Sequence, residues 1–372
     1  MSEAMTVTAT DAPRFTILLP THNRADVLPY SVRSVLYQTV QDFELLIVGD
    51  GCTDETAEVV RSFDDARIRW FDLPKAPHFG YANRNVALRE ARGALVAFMA
   101  HDDLWLPDHL QLLAAAFDAE DVELAYSRPL WVIPKGMIAP SSFNLHQAET
   151  LHVFLSRRRN HIPAGCVVHR RECFEKYGYW NDQLSGSGDW DMWARIIEGG
   201  GRRNFSYVTE STCLHFRANW RTEATTGQPQ LLVWKMLHAI DGFMPEALSF
   251  PVTDGETEQE ACWKLLSADS EEWTKRLRAA VHQVLDRRVA QSDELMLEII
   301  RRTKSNEAET ARLVESFAQM ESLRELTTEI EHARSSFGWK LVHGLRALKS
   351  RTLPPGTRRE RAWLRIQKNL LR

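Results

Sequence analysis

Cysteine is scarce in this chain, and the five present (Cys52, Cys166, Cys173, Cys213 and Cys262) form no C-x-x-C pair. An odd number without paired spacing argues against a disulfide framework and against a structural zinc site, and it suits a reducing compartment. Long hydrophobic runs are also missing. No stretch approaches the roughly 18 apolar residues of a transmembrane helix. The opening MSEAMTVTATDAP is polar and lacks the apolar core of a signal peptide, so a cytoplasmic protein is expected. No G-x-G-x-x-G follows the first apolar run and P-loop spacing is absent, which argues against a dinucleotide-binding Rossmann domain. Net charge is only −4, yet from Arg334 onward 11 Lys/Arg stand against one acid, Glu360. A nucleic-acid binder would spread its bases over a binding face, so no nucleic-acid partner is expected. With 44% apolar residues in 372, the chain can build a sizeable core as one large domain with an appendage, or as two domains.

The most informative stretch is Gly93–Trp105, GALVAFMAHDDLW. Its uncharged run Leu95–Met99 suits a strand covered on both faces of a sheet. The run stops at His101, Asp102 and Asp103, and Pro107 restarts the chain as a helix. Adjacent carboxylates at the C-terminal end of a buried strand lie where open α/β sheets bind ligands. Hard oxygen ligands there suit Mg²⁺ or Mn²⁺, with phosphate oxygens completing the shell. A solvated turn that caps the next helix is the competing reading.

The same pattern recurs upstream. Arg14–Leu19, Phe43–Val48 and Arg67–Phe71 read as strands, while Asp26–Gln38, Glu55–Ser62 and Tyr81–Ala91 read as helices. Such alternation predicts an α/β fold with a mostly parallel sheet flanked by helices. Three polar loops, Thr21–Asn23, Asp50–Asp54 and His101–Asp103, each follow a strand and should gather on one sheet edge. Thr53 or Asp54 can cap the helix that begins at Glu55. Farther on the alternation fades. Leu124–Val132 and His161–His169 read as strands, Arg170–Tyr177 and Trp190–Ile197 as helices, and Cys213–Trp220 as a strand or loop carrying His215 and Arg217. Asp189 stands where free N–H groups and the helix dipole favour a carboxylate, so helix capping is one reading of it.

From Leu231 the composition turns helical, interrupted by a linker-like Phe250–Thr257. Leu313, Phe317, Met320, Leu323 and Ile330 keep helical spacing over a span short of the three or four heptads of a coiled coil. The last segment sets Phe337, Trp339, Leu341, Val342, Leu345 and Leu348 among bases. That pattern suits an anionic membrane surface, a helix docked on the protein's own body, or a disordered basic tail. The expected organisation is a flexible 1–13, an α/β domain over 14–230, a helical region over 231–333 and a basic amphipathic tail over 334–372.

Several ordered segments in the first 220 residues resemble the family 2 glycosyltransferases, which have the GT-A fold. ILLPTHNR (17–24) is similar to the family's opening strand and loop, and SVLYQTVQDF (34–43) to its first helix. VGDGCTDET (48–56) is similar to its nucleotide-binding loop. GYANRN (80–85) resembles the G-x-x-x-A-R-N motif, one residue shorter and with Asn83 where alanine is common. HDDLWLP (101–107) resembles the metal-binding D-x-D region, and GDWDMWAR (188–195) the segment with the catalytic base. Ala100 stands in place of the first D-x-D aspartate.

By resemblance, Asp50 contacts the donor base, usually uracil, with Pro20, Thr21 and Asn23 at the same pocket and Arg84 near the diphosphate or ribose. Asp102 would ligate the metal, His101 and Asp103 would lie beside the donor, and His215 would be a metal or diphosphate contact. Asp189 would be the general base, with Asp191 the second choice. Trp190 and Trp193 would either shape the acceptor pocket or pack in the core. The implied function is an inverting, metal-dependent glycosyltransferase. It would use a nucleoside-diphosphate sugar, UDP-linked by family habit, and a glycan or lipid-linked glycan acceptor in surface-polysaccharide or glycoconjugate assembly. Its place would be the cytoplasm, at the inner face of the plasma membrane if the tail binds lipid, and C-terminal helices could pair copies into a homo-oligomer. Two alternatives stand beside it. One is a non-catalytic sugar-nucleotide-binding scaffold, which the altered D-x-D favours and Asp102 and Asp189 oppose. The other is a nucleotidyltransferase, whose usual glycine-rich basic first loop PTHNR does not match.

Overall fold

Apolar runs without alternation demand cover on both faces of a sheet, and the first strands are used in that way. A computed structural model of the chain describes residues 12–201, 203–216 and 229–290. The elements run β1 (Phe15–Thr21), α1 (Leu28–Leu36), β2 (Phe43–Asp50), α2 (Thr56–Arg61), β3 (Ile68–Leu73), α3 (Tyr81–Leu88), β4 (Leu95–Phe98), β5 (Leu104–Trp105) and α4 (His109–Ala114). They continue with β6 (Leu124–Ile133), β7 (Met137–Pro140), α5 (Ala148–Leu155), β8 (Val167–Arg170), α6 (Cys173–Tyr177), α7 (Gly188–Gly200) and β9 (Phe205–Phe216). Three further helices follow, α8 (Pro229–His238), α9 (Glu258–Ala268) and α10 (Ser270–Ala290).

The first four long strands lie parallel in the order β3-β2-β1-β4, with Phe15 opposite Phe43 on one side and Leu95 on the other. Phe15, Ile17, Leu18 and Leu19 of β1 and Leu45 to Val48 of β2 are all buried. Leu28, Val32 and Val35, at helical spacing on α1, are buried in the same core. At the edge where these strands begin, Glu44 is held inside by Thr16 Oγ1 (2.7 Å) and by the backbone N–H and Nε of Arg92 (2.6 and 2.9 Å).

Beyond β4 the sheet becomes mixed. β8 runs antiparallel to β4, β6 antiparallel to β8, β9 parallel to β6, and the two-residue β5 antiparallel to β9. The parallel half follows the expected pattern, and the antiparallel half follows from short connections. β6 and β7 form a hairpin joined through Lys135 and Gly136, both at positive φ (72° and 68°), which a tight reversal requires. Pro129 sits inside β6 where the register against β9 shifts, the kind of bulge that tolerates a residue with no N–H to donate.

The helical region as far as Leu285 belongs to the compact unit that contains the sheet. Gln259 of α9 donates its Nε2 to the carbonyl of Asp102 at 3.1 Å. Arg278 of α10 pairs bidentately with Asp108 at 2.7 Å per bond and donates to the Ser211 carbonyl. The stretch read as a linker is fastened as well. Phe250 is buried with its N–H on the Gly136 carbonyl (3.0 Å), and Thr257 caps α9 by accepting from the Glu260 N–H (3.1 Å). No helix among the described residues is long and apolar enough to cross a membrane. The expected residues 1–11, Arg217 to Trp220, the Leu313–Ile330 pattern and the basic tail lie outside the described residues.

Candidate active site

The loops behind β1, β2 and β4 meet, with Asn23 accepting from the Thr53 N–H (2.7 Å) and His101 within the field of Arg24. The end of β9 joins them where the Phe216 N–H donates to Asp103 (3.1 Å). Arg84, on α3, links them electrostatically: its charge is felt by Asp50 and by Asp189. Asp189 also feels His215, and His101 feels Asp102, Arg24, Asp103 and Arg84. The Arg84 guanidinium lies over the rings of Tyr81 (4.8 Å) and Trp180 (5.1 Å), where cation–π attraction holds it. Burial is the main cause lowering its pKa. Its Nε donates no hydrogen bond, and neither His101 Nδ1 nor Thr21 Oγ1 has a hydrogen-bond partner, although all three atoms are buried. Burial likewise leads the lowering of His101, against the raising effect of Asp102.

Asp189 is the second residue of α7 rather than its cap, a place taken by Ser187 in left-handed backbone (φ 57°). Burial raises its carboxyl above the ordinary aspartate value, while the Trp190 N–H, Arg84 and His215 pull the other way. A raised carboxylate accepts a proton more readily. The turn before it is fixed by Tyr81, whose hydroxyl accepts the Gly188 N–H at 3.0 Å. A side chain on Gly188 would put a Cβ 2.8 Å from the Tyr81 ring. Asp191 is engaged by Arg195 (3.0 Å) and Arg157 (3.8 Å). Trp193 is core, and Trp190 donates to the Phe154 carbonyl (3.0 Å).

Asp103 departs from its expected place beside the donor. It is 0% exposed, with both carboxylate oxygens 2.9 Å from His215 Nδ1 and Oδ1 accepting from the Phe216 N–H at 3.1 Å. It can act on a ligand only through His215, whose ring also meets the edge of Trp131. Asp102 keeps a small exposure, its Oδ2 lying 4.0 Å from His101 Nε2. A histidine oriented by a carboxylate is the usual form of a metal-ligating imidazole. Among the described residues no three His, Cys, Asp or Glu side chains are grouped to hold an ion alone. Asp102 and the carboxylate-oriented His215 are donors of the type a divalent ion takes.

Asp50, the last residue of β2, is engaged through both oxygens. Its Oδ1 accepts from Ala76 N (2.8 Å) and Asn83 Nδ2 (2.7 Å), and its Oδ2 pairs with Lys75. The departure from the family motif at Asn83 is thus a substitution with a use, because an alanine there could not reach Asp50. Gly80 (φ 71°) is required, since a Cβ would lie 2.5 Å from Asp50 Oδ2. Asn23, exposed and at φ 50°, ties the first loop to the second through the Thr53 N–H (2.7 Å). Pro20 is half-buried beside Thr21. Neither expected residue caps α2: the N-cap is Glu55, with no side-chain cap bond, and Asp54 one residue earlier accepts from the Thr56 N–H at 3.1 Å. Sequence reading missed Lys75, Tyr81, Trp180 and Gln259. Tyr81 and Asn83 lay inside a recognised motif, whereas Trp180 and Gln259 carried no local signal.

Residues 16–178 match Glycosyl transferase family 2, so this segment is similar to that family. A chondroitin synthase of Pasteurella multocida (strain Pm70) is 26% identical over 213 residues, 55% of this chain and 21% of that protein. A UDP-Glc:alpha-D-GlcNAc-diphosphoundecaprenol beta-1,3-glucosyltransferase (WfgD) of Escherichia coli is 32% identical over 110 residues, 30% of this chain and 43% of that protein. The matches thus span less than half the length of either relative. S. aureus TarS 1–349 in complex with UDP-GlcNAc aligns with a TM-score of 0.47 at 16% identity, over 85% of this chain and 82% of that one.

Proposed function

We propose that the chain transfers a sugar, with inversion, from a nucleoside-diphosphate donor to a hydroxyl of a glycan acceptor. The observation that carries the reading is the arrangement at the ends of the strands. Arg84 lies over Tyr81 (4.8 Å), whose hydroxyl holds the Gly188 N–H beside Asp189 (3.0 Å). Asp102 lies 4.0 Å from His101, and His215 is held by Asp103 (2.9 Å). Asp189 takes the proton of the acceptor hydroxyl as that oxygen bonds to the anomeric carbon. The bond from that carbon to the diphosphate oxygen breaks, and its electron pair leaves with the nucleoside diphosphate. Arg84, held by two rings, faces the growing negative charge. Asp102 and His215 would hold a divalent ion, which when bound supplies Lewis-acid stabilisation of the leaving oxygen. Asp103 orients His215. Asp50, Lys75, Thr21 and Pro20 form the base pocket.

The names of the two curated relatives support a sugar-nucleotide donor and a polysaccharide or lipid-linked acceptor. The basic tail supports work beside an anionic membrane surface, and pairing through C-terminal helices belongs to the same reading. The test is calorimetric titration of UDP, GDP and dTDP, each with Mn²⁺ and with EDTA, into the wild type and Asp102→Ala. Metal-dependent binding of one diphosphate, lost in the variant, is expected. Binding indifferent to both metal and Asp102 would favour a scaffold, and no binding at all would remove the donor site.

A further inference from the structure

We infer that Phe79 is the stacking platform of an acceptor-sugar subsite beside the loop that leads to Asp189. The inference rests on the glycosyltransfer reading above and names where its acceptor lies. Among the described residues three large hydrophobic side chains are exposed, and Phe79, at 58%, is the most open. Tyr37, the next, is engaged at both its ring, against Trp263, and its hydroxyl, which donates to Ser270 Oγ (3.3 Å). Phe79 also stands in backbone that bulky residues avoid. His78, Phe79 and Gly80 follow one another at φ of 54°, 59° and 71°, in the left-handed region where a large side chain is an outlier. Such strain persists where surrounding structure over-determines it, and it concentrates at ligand sites.

The surroundings that hold this turn are visible. The Gly80 N–H donates to the Pro77 carbonyl (3.1 Å), and Gly80 packs against Asp50. Asn83 fastens the following helix to Asp50 and to the Pro74 carbonyl (2.8 Å). Asn85 exchanges two hydrogen bonds with the backbone of Trp180 (2.7 and 3.2 Å). The turn is therefore anchored on both sides while its aromatic ring is left outside.

Where the ring lies decides what it is for. It stacks on Tyr81 (centroids 6.5 Å apart, planes at 29°), the residue whose hydroxyl holds Gly188 beside Asp189. Across from it is Gly186, where an added Cβ would stand 4.0 Å from Phe79 Cε2. Ser185, Gly186 and Ser187 carry no bulk, so an open aromatic face borders a small polar loop that leads to the base. A pyranose matches that pairing. One of its faces presents polarised C–H bonds to the negative face of the ring, and its hydroxyl rim reaches serine hydroxyls and a carboxylate. A nucleobase has no such rim, and in the present reading it occupies the Asp50 pocket.

The experiment uses the full chain saturated with UDP and Mg²⁺. Saturation-transfer NMR is recorded with methyl β-D-glucopyranoside, methyl β-D-galactopyranoside and the methyl glycoside of N-acetylglucosamine, on wild type, Phe79→Ala and Phe79→Tyr. At least one glycoside is expected to take saturation on its ring-face protons. Its affinity should fall about five- to tenfold in Phe79→Ala, the scale of one aromatic contact, and return in Phe79→Tyr. UDP affinity, measured in parallel, should stay within about twofold across all three, which excludes a folding defect as the cause. Equal glycoside binding in wild type and Phe79→Ala overturns the inference, as does a wild type that binds UDP but none of the glycosides. A wild type that binds no nucleoside diphosphate fails earlier, and there the glycosyltransfer reading itself falls.

Discussion

The two edges of the parallel half-sheet treat their buried polar groups in opposite ways. Where the strands begin, Glu44, 1% exposed, is met by Thr16 and by two donors of Arg92, with Arg69 at 3.5 Å. Where the strands end, Thr21 Oγ1, His101 Nδ1 and Arg84 Nε are buried without hydrogen-bond partners. Each unmade bond of this kind costs about 1–3 kcal/mol. The same four strands carry both edges, so the difference does not come from the fold. One edge is closed by its own side chains, and the other carries three unmade bonds, a kind of departure also found at Trp70 Nε1 and His169 Nε2.

The comparison can be broken most forcefully at Asp189. Asp189→Asn keeps the side-chain shape and removes the base, so transfer should drop about 10²–10⁴-fold while UDP affinity measured by calorimetry holds. A fall in nucleotide affinity with little change in turnover would move Asp189 out of the base role. For the wild type, the acid limb of the rate profile should lie above the ordinary aspartate value, because burial raises this carboxyl.

At the opposite edge, Glu44→Gln should cost about 2–3 kcal/mol in urea unfolding, with the KM for donor unchanged. Burial pushes the Glu44 carboxyl up, but the Arg92 N–H, the Thr16 hydroxyl and the Arg92 side chain together hold it below the usual range. A lowered folded-state value means this stability is present above the unfolded value and is lost as pH falls through the folded one. A smaller effect is expected from Asp103→Asn, which leaves His215, the proposed metal ligand, in place but loosens its orientation. Mn²⁺ affinity in the presence of UDP, read by electron paramagnetic resonance, should weaken about 10–100-fold. Unchanged affinity would make the pair purely structural.

The most diffuse effect is on acid stability. Burial holds His109 and His161 at about 3 and His169 at about 4, all below the roughly 6.5 of an unfolded chain. The unfolded state then binds protons first, so stability is full above about pH 6.5 and declines as pH falls toward 4. His169→Phe, tested by thermal melts at pH 7 and 5, should narrow the gap between the two melting temperatures.

How much of this was legible in the sequence follows from where each signal resides. Apolar runs set by double-sided burial gave β1, β2 and β4, and loops behind them gave Asp50, Asp102 and their edge. Asp189 was readable because its segment resembles a known one, although its place inside α7 rather than at its cap needed coordinates. β5 was not legible, since two residues carry no periodicity. The β6–β7 hairpin was marked by Pro134-Lys135-Gly136, which passed without notice. Asp103 could not be told from Asp102 in a sequence, because burial against His215 depends on β9 arriving from more than a hundred residues away. The same distance hid Gln259.

That last residue has a bearing on how such proteins diversify. Gln259 holds the Asp102 carbonyl and Arg278 the Asp108 carboxylate from helices that look, in sequence, like an interchangeable trailer. A chimera joined at Leu231, with a trailing part borrowed from a relative, would inherit a loop whose clasp was cut for another catalytic body. Recombination in this lineage should therefore respect a seam after Leu285 and leave the region before it to change in step with the site it grips.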